Sequence, residues 1–226
     1  METIYDVIVV GAGHAGNEAA AAAANMGSRV LLITMNMGVA KGQIIREVDA
    51  LGGYSGIVSD RSTVQFRMLN RSKGAAMWSP RSQNDRSLFA SEWRRMLEAT
   101  ANVHFWQDSV TELIVEQGVV QGVRTGLGKI IRSRAVILTS GTFMNGIMHI
   151  GEQQLGGGRA GEKASHGITE QLVRLGFETG RMKTGTPPRV DGRSIDYTQL
   201  EEQPGDPHPG KFSFSPSTTA ASRQLS

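Results

Sequence analysis

No cysteine occurs among the 226 residues, which excludes disulfides, thiolate metal sites and cysteine nucleophiles for this chain. Five histidines are scattered without ligand spacing, so no metal centre is expected. Long apolar runs are also missing: nothing approaches the ~20 residues that a membrane span needs. The start, Met1-Glu2-Thr3-Ile4-Tyr5-Asp6, carries acid where a signal peptide carries base. The chain therefore reads as cytoplasmic, with no membrane partner. A net charge of +3 is too small to imply a polyanion partner from the total, so such a partner must be argued from local clusters.

Glycine is abundant, at 28 residues, and its placement is informative. Val7-Ile8-Val9-Val10 is a β-branched run suited to a strand buried on both faces of a parallel sheet. It stops at Gly11-Ala12-Gly13-His14-Ala15-Gly16, a GxGxxG spacing, and then enters an alanine-rich helix that Gly27 closes. Gly11 allows the tight turn, Gly13 lets a diphosphate approach the backbone without meeting a Cβ, and Gly16 lets the helix pack close on the strand. Unpaired N–H groups and the helix dipole then hold the phosphates without a lysine. A second strand, Arg29–Thr34, follows. About 20 residues after the first glycine, where an acid usually takes the ribose hydroxyls, this chain has Thr34, Met35 and Asn36. The neutral Asn36 carboxamide there can still accept a ribose hydroxyl.

Further along, residues 44–51 are expected to be helical. Arg61 to Arg95 carries eight bases against Asp85 and Glu92, with Phe66, Trp78, Phe89 and Trp93 interleaved. Arginine beside aromatic rings suits phosphate backbones and splayed bases; the alternative is a solvated helical face whose rings lie in the core. Within it, 87–99 reads as an amphipathic helix. Strands at 103–106, 110–115, 119–124 and 129–132, separated by turn signals, predict a β-meander inserted in an α/β frame. Ala135-Val136-Ile137-Leu138-Thr139-Ser140-Gly141 is a further buried strand, expected beside the first one and ending at the cofactor crevice. Gly156-Gly157-Gly158-Arg159 is bare enough to lie against a planar or phosphorylated ligand, or to form a plain surface loop. A helix is expected at 168–175. Beyond Gln199 the Pro, Gly, Ser and Thr content is that of a linker.

VGAGHAGNEAA (10–20), KGQIIREVDALGG (41–53), QFRMLNRSKG (65–74), GGGRAGE (156–162) and RMKTGTPPRVDGRSIDY (181–197) together resemble the MnmG (GidA) family of tRNA wobble-uridine modification flavoproteins. The resemblance implies a Rossmann-like FAD-binding domain of the two-dinucleotide-binding flavoprotein type, with the antiparallel β-meander at about 102–134. It places residues 1–198 in that domain and 199–226 in a connector or the start of an NAD-binding domain. It further implies an enzyme that acts with the GTPase MnmE on C5 of the wobble uridine, using NADH and methylene-tetrahydrofolate, and a homodimer. By position, its FAD contacts fall on Gly11, Ala12, Gly13, His14, Ala15, Gly16, Val110 and Ser165.

Two departures stand out. The family's Cys-Asn-Pro-x-x-Gly-Gly segment after the second strand has no counterpart here, so no residue inherits its cysteine's role and no catalytic residue is named. Family members also continue well past this length, so a fragment is expected. The alternatives left open are another FAD or NAD(P)H oxidoreductase, a folate-dependent tRNA uridine methyltransferase, and a dinucleotide-binding assembly subunit.

Overall fold

The sequence alternation in the first strand sorts its side chains to two sides of one sheet. The structure, a computed structural model, describes residues 4–37, 43–185 and 190–225, with nothing drawn from the side chains of Asn36, Met37 and Gln43. Strand β1 (Tyr5–Ala12) lies between β2 (Val30–Met37) and β8 (Ile130–Leu138), parallel to both, and β5 (Val103–Trp106) extends the parallel set beyond β2. Val7 and Val9 face helices α1 (His14–Asn25) and α4 (Arg86–Glu98), while Ile8 and Val10 face the other way. On that second side β6 (Val110–Glu116), β7 (Val119–Thr125) and the first residues of β8 form an antiparallel ladder.

One strand joins the two ladders. Ile130–Arg132 pair antiparallel with β7, and Ser133–Leu138 pair parallel with β1. Ile8, Leu31 and Ile33 pack against Val110, Leu113, Val123 and Ile131, and Val9, Leu32, Ala20, Phe89 and Trp93 form the core on the helical side. The result is helices, parallel sheet and meander in layers, the Rossmann-like arrangement expected. One detail differs: residues 103–106, grouped with the meander by their sequence, join the parallel edge through β2. Their short apolar run cannot distinguish those two neighbours.

Elements not anticipated lie between the first βαβ unit and α4. After α2 (Gln43–Ala50) come α3 (Ser55–Ser62) and a hairpin of β3 (Thr63–Leu69) and β4 (Ser79–Asn84). Residues beyond 199 run back along this hairpin. The Gln65 side chain donates to the carbonyls of Gln203 and Leu225, Asp206 accepts from the Met68 N–H, and Asp60 accepts from the N–H groups of Phe212 and Ser213. Phe212 is buried edge-on to Phe66, with ring centroids 6.0 Å apart. After β8 come a small hairpin, β9 (Ile147–Ile150) with β10 (Gln153–Gly156), then α5 (Ile168–Arg174) and two short 3-10 turns, Gly192–Ser194 and Tyr197–Gln199. Among the described residues no helix is long and apolar enough to cross a membrane.

Candidate dinucleotide-binding site

The turn from β1 into α1 is shaped by three glycines with three different surroundings. Gly11 has φ +96°, and a Cβ there would lie 2.7 Å from the Thr139 carbonyl oxygen. A Cβ on Gly16 would strike the Gly11 carbonyl oxygen and lie 2.6 Å from Thr139 Oγ1. Gly13 meets nothing within 4 Å. Gly11 and Gly16 thus serve the close crossing of strand, helix and the end of β8, while Gly13 leaves its side of the turn open. Thr139 fastens the crossing: its hydroxyl contacts the carbonyls of Val10 and Gly11 at 2.8 and 2.9 Å, and its N–H donates to Val10 at 2.9 Å. Ala12 is buried, and its N–H donates to Thr34 Oγ1 at 3.3 Å. Ala15 is exposed.

No side chain caps α1 at Gly13 and no acid occupies its first turn. The orphan N–H groups and positive dipole end therefore remain available to an anion. With Gly13 open beside them, these residues fit the diphosphate of a dinucleotide such as FAD. His14 is largely buried; its Nδ1 lies 3.3 Å from Ser55 Oγ and its ring 5.0 Å from that of Phe89. Burial pushes its imidazole down to about 4, so it is neutral at physiological pH. Its Nε2 and both polar side-chain atoms of Asn17 are buried without a protein partner, positions that water or ligand must satisfy.

Val110 and Ser165, 55 residues apart, meet: Ser165 Oγ donates to the Val110 carbonyl at 3.4 Å. A ladder of backbone bonds connects this pair to the end of β8. Phe143 N–H donates to Ser140, Ser165 N–H to Phe143, and Asn145 N–H to Ser165. Residues 139–145 thus tie the glycine turn on one side to Ser165 and Val110 on the other.

Glu18 was not singled out by its sequence. Its carboxylate accepts from the N–H groups of Tyr54 (3.0 Å) and Ser55 (2.5 Å), which places a negative charge on the first turn of α3. Its only signal was the one acid in an alanine-rich helix.

Other residues that the sequence singled out have partners within the chain. A Cβ on Gly158 would lie 2.6 Å from the Phe143 ring and one on Gly157 2.6 Å from the Glu162 carbonyl oxygen, so these glycines serve chain packing. Arg159 and Arg86 pair with Glu162 at 3.8 and 3.5 Å. Of the bases in 61–95, Arg61 and Arg95 pair with Glu92, Arg94 with Glu98 and Arg71 with Asp206. Phe66, Phe89 and Trp93 are buried; only Trp78 of the four aromatics is exposed. The Asn36 carboxamide, Lys41 and Gly42, the loop where the family's cysteine segment would fall, and Thr186–Arg189 lie outside the described residues.

The family model for glucose inhibited division protein A matches residues 6–226. The tRNA uridine 5-carboxymethylaminomethyl modification enzyme MnmG of Cytophaga hutchinsonii is 68% identical over 98% of this chain and 38% of its own length. The structure of Aquifex aeolicus GidA in its form I crystal superposes with a TM-score of 0.88 at 39% identity, covering 99% of this chain and 40% of that one. The form II crystal gives 0.84 at 42% identity, covering 93% and 37%. The chain thus spans about 38% of the length of the curated relatives it matches.

Proposed function

This chain belongs to the glucose inhibited division protein A (GidA) family, and from that premise we propose that the full-length protein is an FAD-dependent enzyme modifying C5 of the wobble uridine in tRNA. In this reading it installs a carboxymethylaminomethyl or aminomethyl group with the GTPase MnmE. It takes the one-carbon unit from methylene-tetrahydrofolate and electrons from NADH, and it works as a cytoplasmic homodimer. Residues 1–198 are then the FAD-binding domain, and 199–226 the connector toward an NAD-binding domain. The C. hutchinsonii relative, a tRNA uridine 5-carboxymethylaminomethyl modification enzyme, supports the reaction.

The observation that carries the FAD assignment is the contrast among the three glycines: two sealed by Thr139 and the turn itself, and Gly13 open at an uncapped helix start. FAD, when bound, supplies the hydride and electron chemistry. The chain's own residues hold and orient it. Backbone N–H groups of residues 13–16 receive the diphosphate, and Gly13 lets it approach. Ser165 pins the Val110 carbonyl at the edge of the meander, where an amino group of the adenine would find an acceptor.

The test is reconstitution. Full-length protein, MnmE, GTP, NADH, methylene-tetrahydrofolate and an amine donor, ammonium or glycine, are incubated with tRNA from cells lacking the gene, and nucleosides are analysed by mass. An aminomethyl-type uridine at the wobble position is the expected product. A simple methyl group on C5 would point to a methyltransferase. Flavin reduction by NADH with unmodified tRNA would point to another oxidoreductase.

A further inference from the structure

Two exposed bases of the basic segment, Arg71 and Lys73, and its one exposed ring, Trp78, lie on the connection between β3 and β4. It forms two short 3-10 turns, Arg71–Lys73 and Ala75–Met77, entered by Asn70 at φ +61° and separated by Gly74 at φ +87°. All residues from 70 to 78 are exposed. Trp78, 48% exposed, is fixed by its edge, because its Nε1 donates to the Arg71 carbonyl at 3.3 Å. Its indole lines a groove of about 600 Å³ between this connection and α2, with Ile44, Met68 and Pro80 as further apolar lining and Arg46 and Glu47 on the α2 wall.

We propose that this groove seats one unstacked nucleotide of single-stranded RNA, its base against Trp78 and its phosphate at Lys73. The proposal rests on the tRNA reading above and names a substrate subsite within it. An indole held by its N–H leaves a face free for stacking, which is sequence-tolerant and strong for a splayed base. Lys73, two residues before the lining residue Ala75, is exposed and makes no ion pair among the described residues, unlike neighbouring Arg71, which is held by Asp206 at 2.7 Å. A guanidinium and a carboxylate on one wall can meet the carbonyl and imide N–H edge of a pyrimidine. Arg46 is positioned for this by the Phe214 ring, 5.0 Å from its guanidinium carbon.

The experiment uses full-length protein loaded with FAD and a labelled anticodon stem-loop RNA, titrated over a salt series. Trp78→Ala should weaken binding roughly tenfold and Trp78→Phe should restore most of it. Lys73→Gln should reduce the salt slope by about one. FAD content should match wild type in all three. Trp78→Leu keeps the apolar bulk without an aromatic face and replaces alanine if that variant unsettles the connection. Wild-type affinity in Trp78→Ala or Trp78→Leu would overturn the groove assignment while leaving the tRNA reading intact. Loss of FAD from folded Trp78→Ala would assign the groove to the flavin ring and overturn it. Failure of wild type to bind the stem-loop at low salt would remove the tRNA reading itself, and the groove with it.

Discussion

The Thr139 hydroxyl sits 2.9 Å from the Gly11 carbonyl oxygen, and it is also the group that a Cβ on Gly16 would meet at 2.6 Å. One threonine at the end of β8 thereby fixes how closely the first helix approaches the first strand. The glycine positions around it have separable duties, and substitutions should separate them.

Gly16→Ala should destabilise the fold by roughly 2–4 kcal/mol, since its methyl group would overlap the Gly11 carbonyl. Gly13→Ala has no such clash and should fold with a melting temperature near wild type while losing much of its flavin. Thermal melts paired with flavin content per chain check both.

Ser165→Ala removes the 3.4 Å bond to the Val110 carbonyl. A single bond of this kind contributes about 0.5–1.5 kcal/mol, so global stability should fall only slightly. If the pair positions the adenine end of FAD, the off-rate of FAD should rise several-fold, measured by apo-flavodoxin-type competition or by dilution.

Glu18→Ala should cost about 1–3 kcal/mol, because the Tyr54 and Ser55 N–H groups lose their acceptor at the start of α3. Glu18→Gln keeps an acceptor oxygen and should recover part of the loss. Equal melting temperatures for wild type and Glu18→Ala would remove the carboxylate from the account of α3.

The His14 imidazole is lowered by burial from 6.5 to about 4. Between those pH values the unfolded chain binds a proton that the folded chain does not, so stability is full above about 6.5 and declines as pH falls toward 4. The decline amounts to at most about 3 kcal/mol. Carboxylates add their own acid sensitivity, so the diagnostic is a difference: denaturant melts of His14→Gln should fall less steeply than wild type across that window. Parallel profiles would show that His14 does not titrate this way.

The first βαβ unit, the meander and the last strand of the sheet were legible because each carries its own local pattern: an apolar run, a glycine stop, a period of two. The hairpin β3–β4 was not, because its cover comes from residues 135–160 positions away, with Gln65 and Met68 held by Gln203 and Asp206. Counting charge within 61–95 overstates its local excess for the same reason. Asp206 and Glu162, which neutralise Arg71 and Arg86, lie outside that stretch. Among the rings, spacing could not tell Trp93, fully buried against α1, from Trp78, which lines the surface groove. Val110 and Ser165 were available only from the family resemblance; no local pattern marks either, and only the fold brings them into contact.

The most direct measurement is the visible absorption spectrum of purified full-length protein, with the ligand released on denaturation identified by mass. The account predicts flavin bands and about one FAD per chain, lost in Gly13→Ala without loss of fold. A colourless wild-type protein that takes up no FAD when the cofactor is supplied in excess would contradict it.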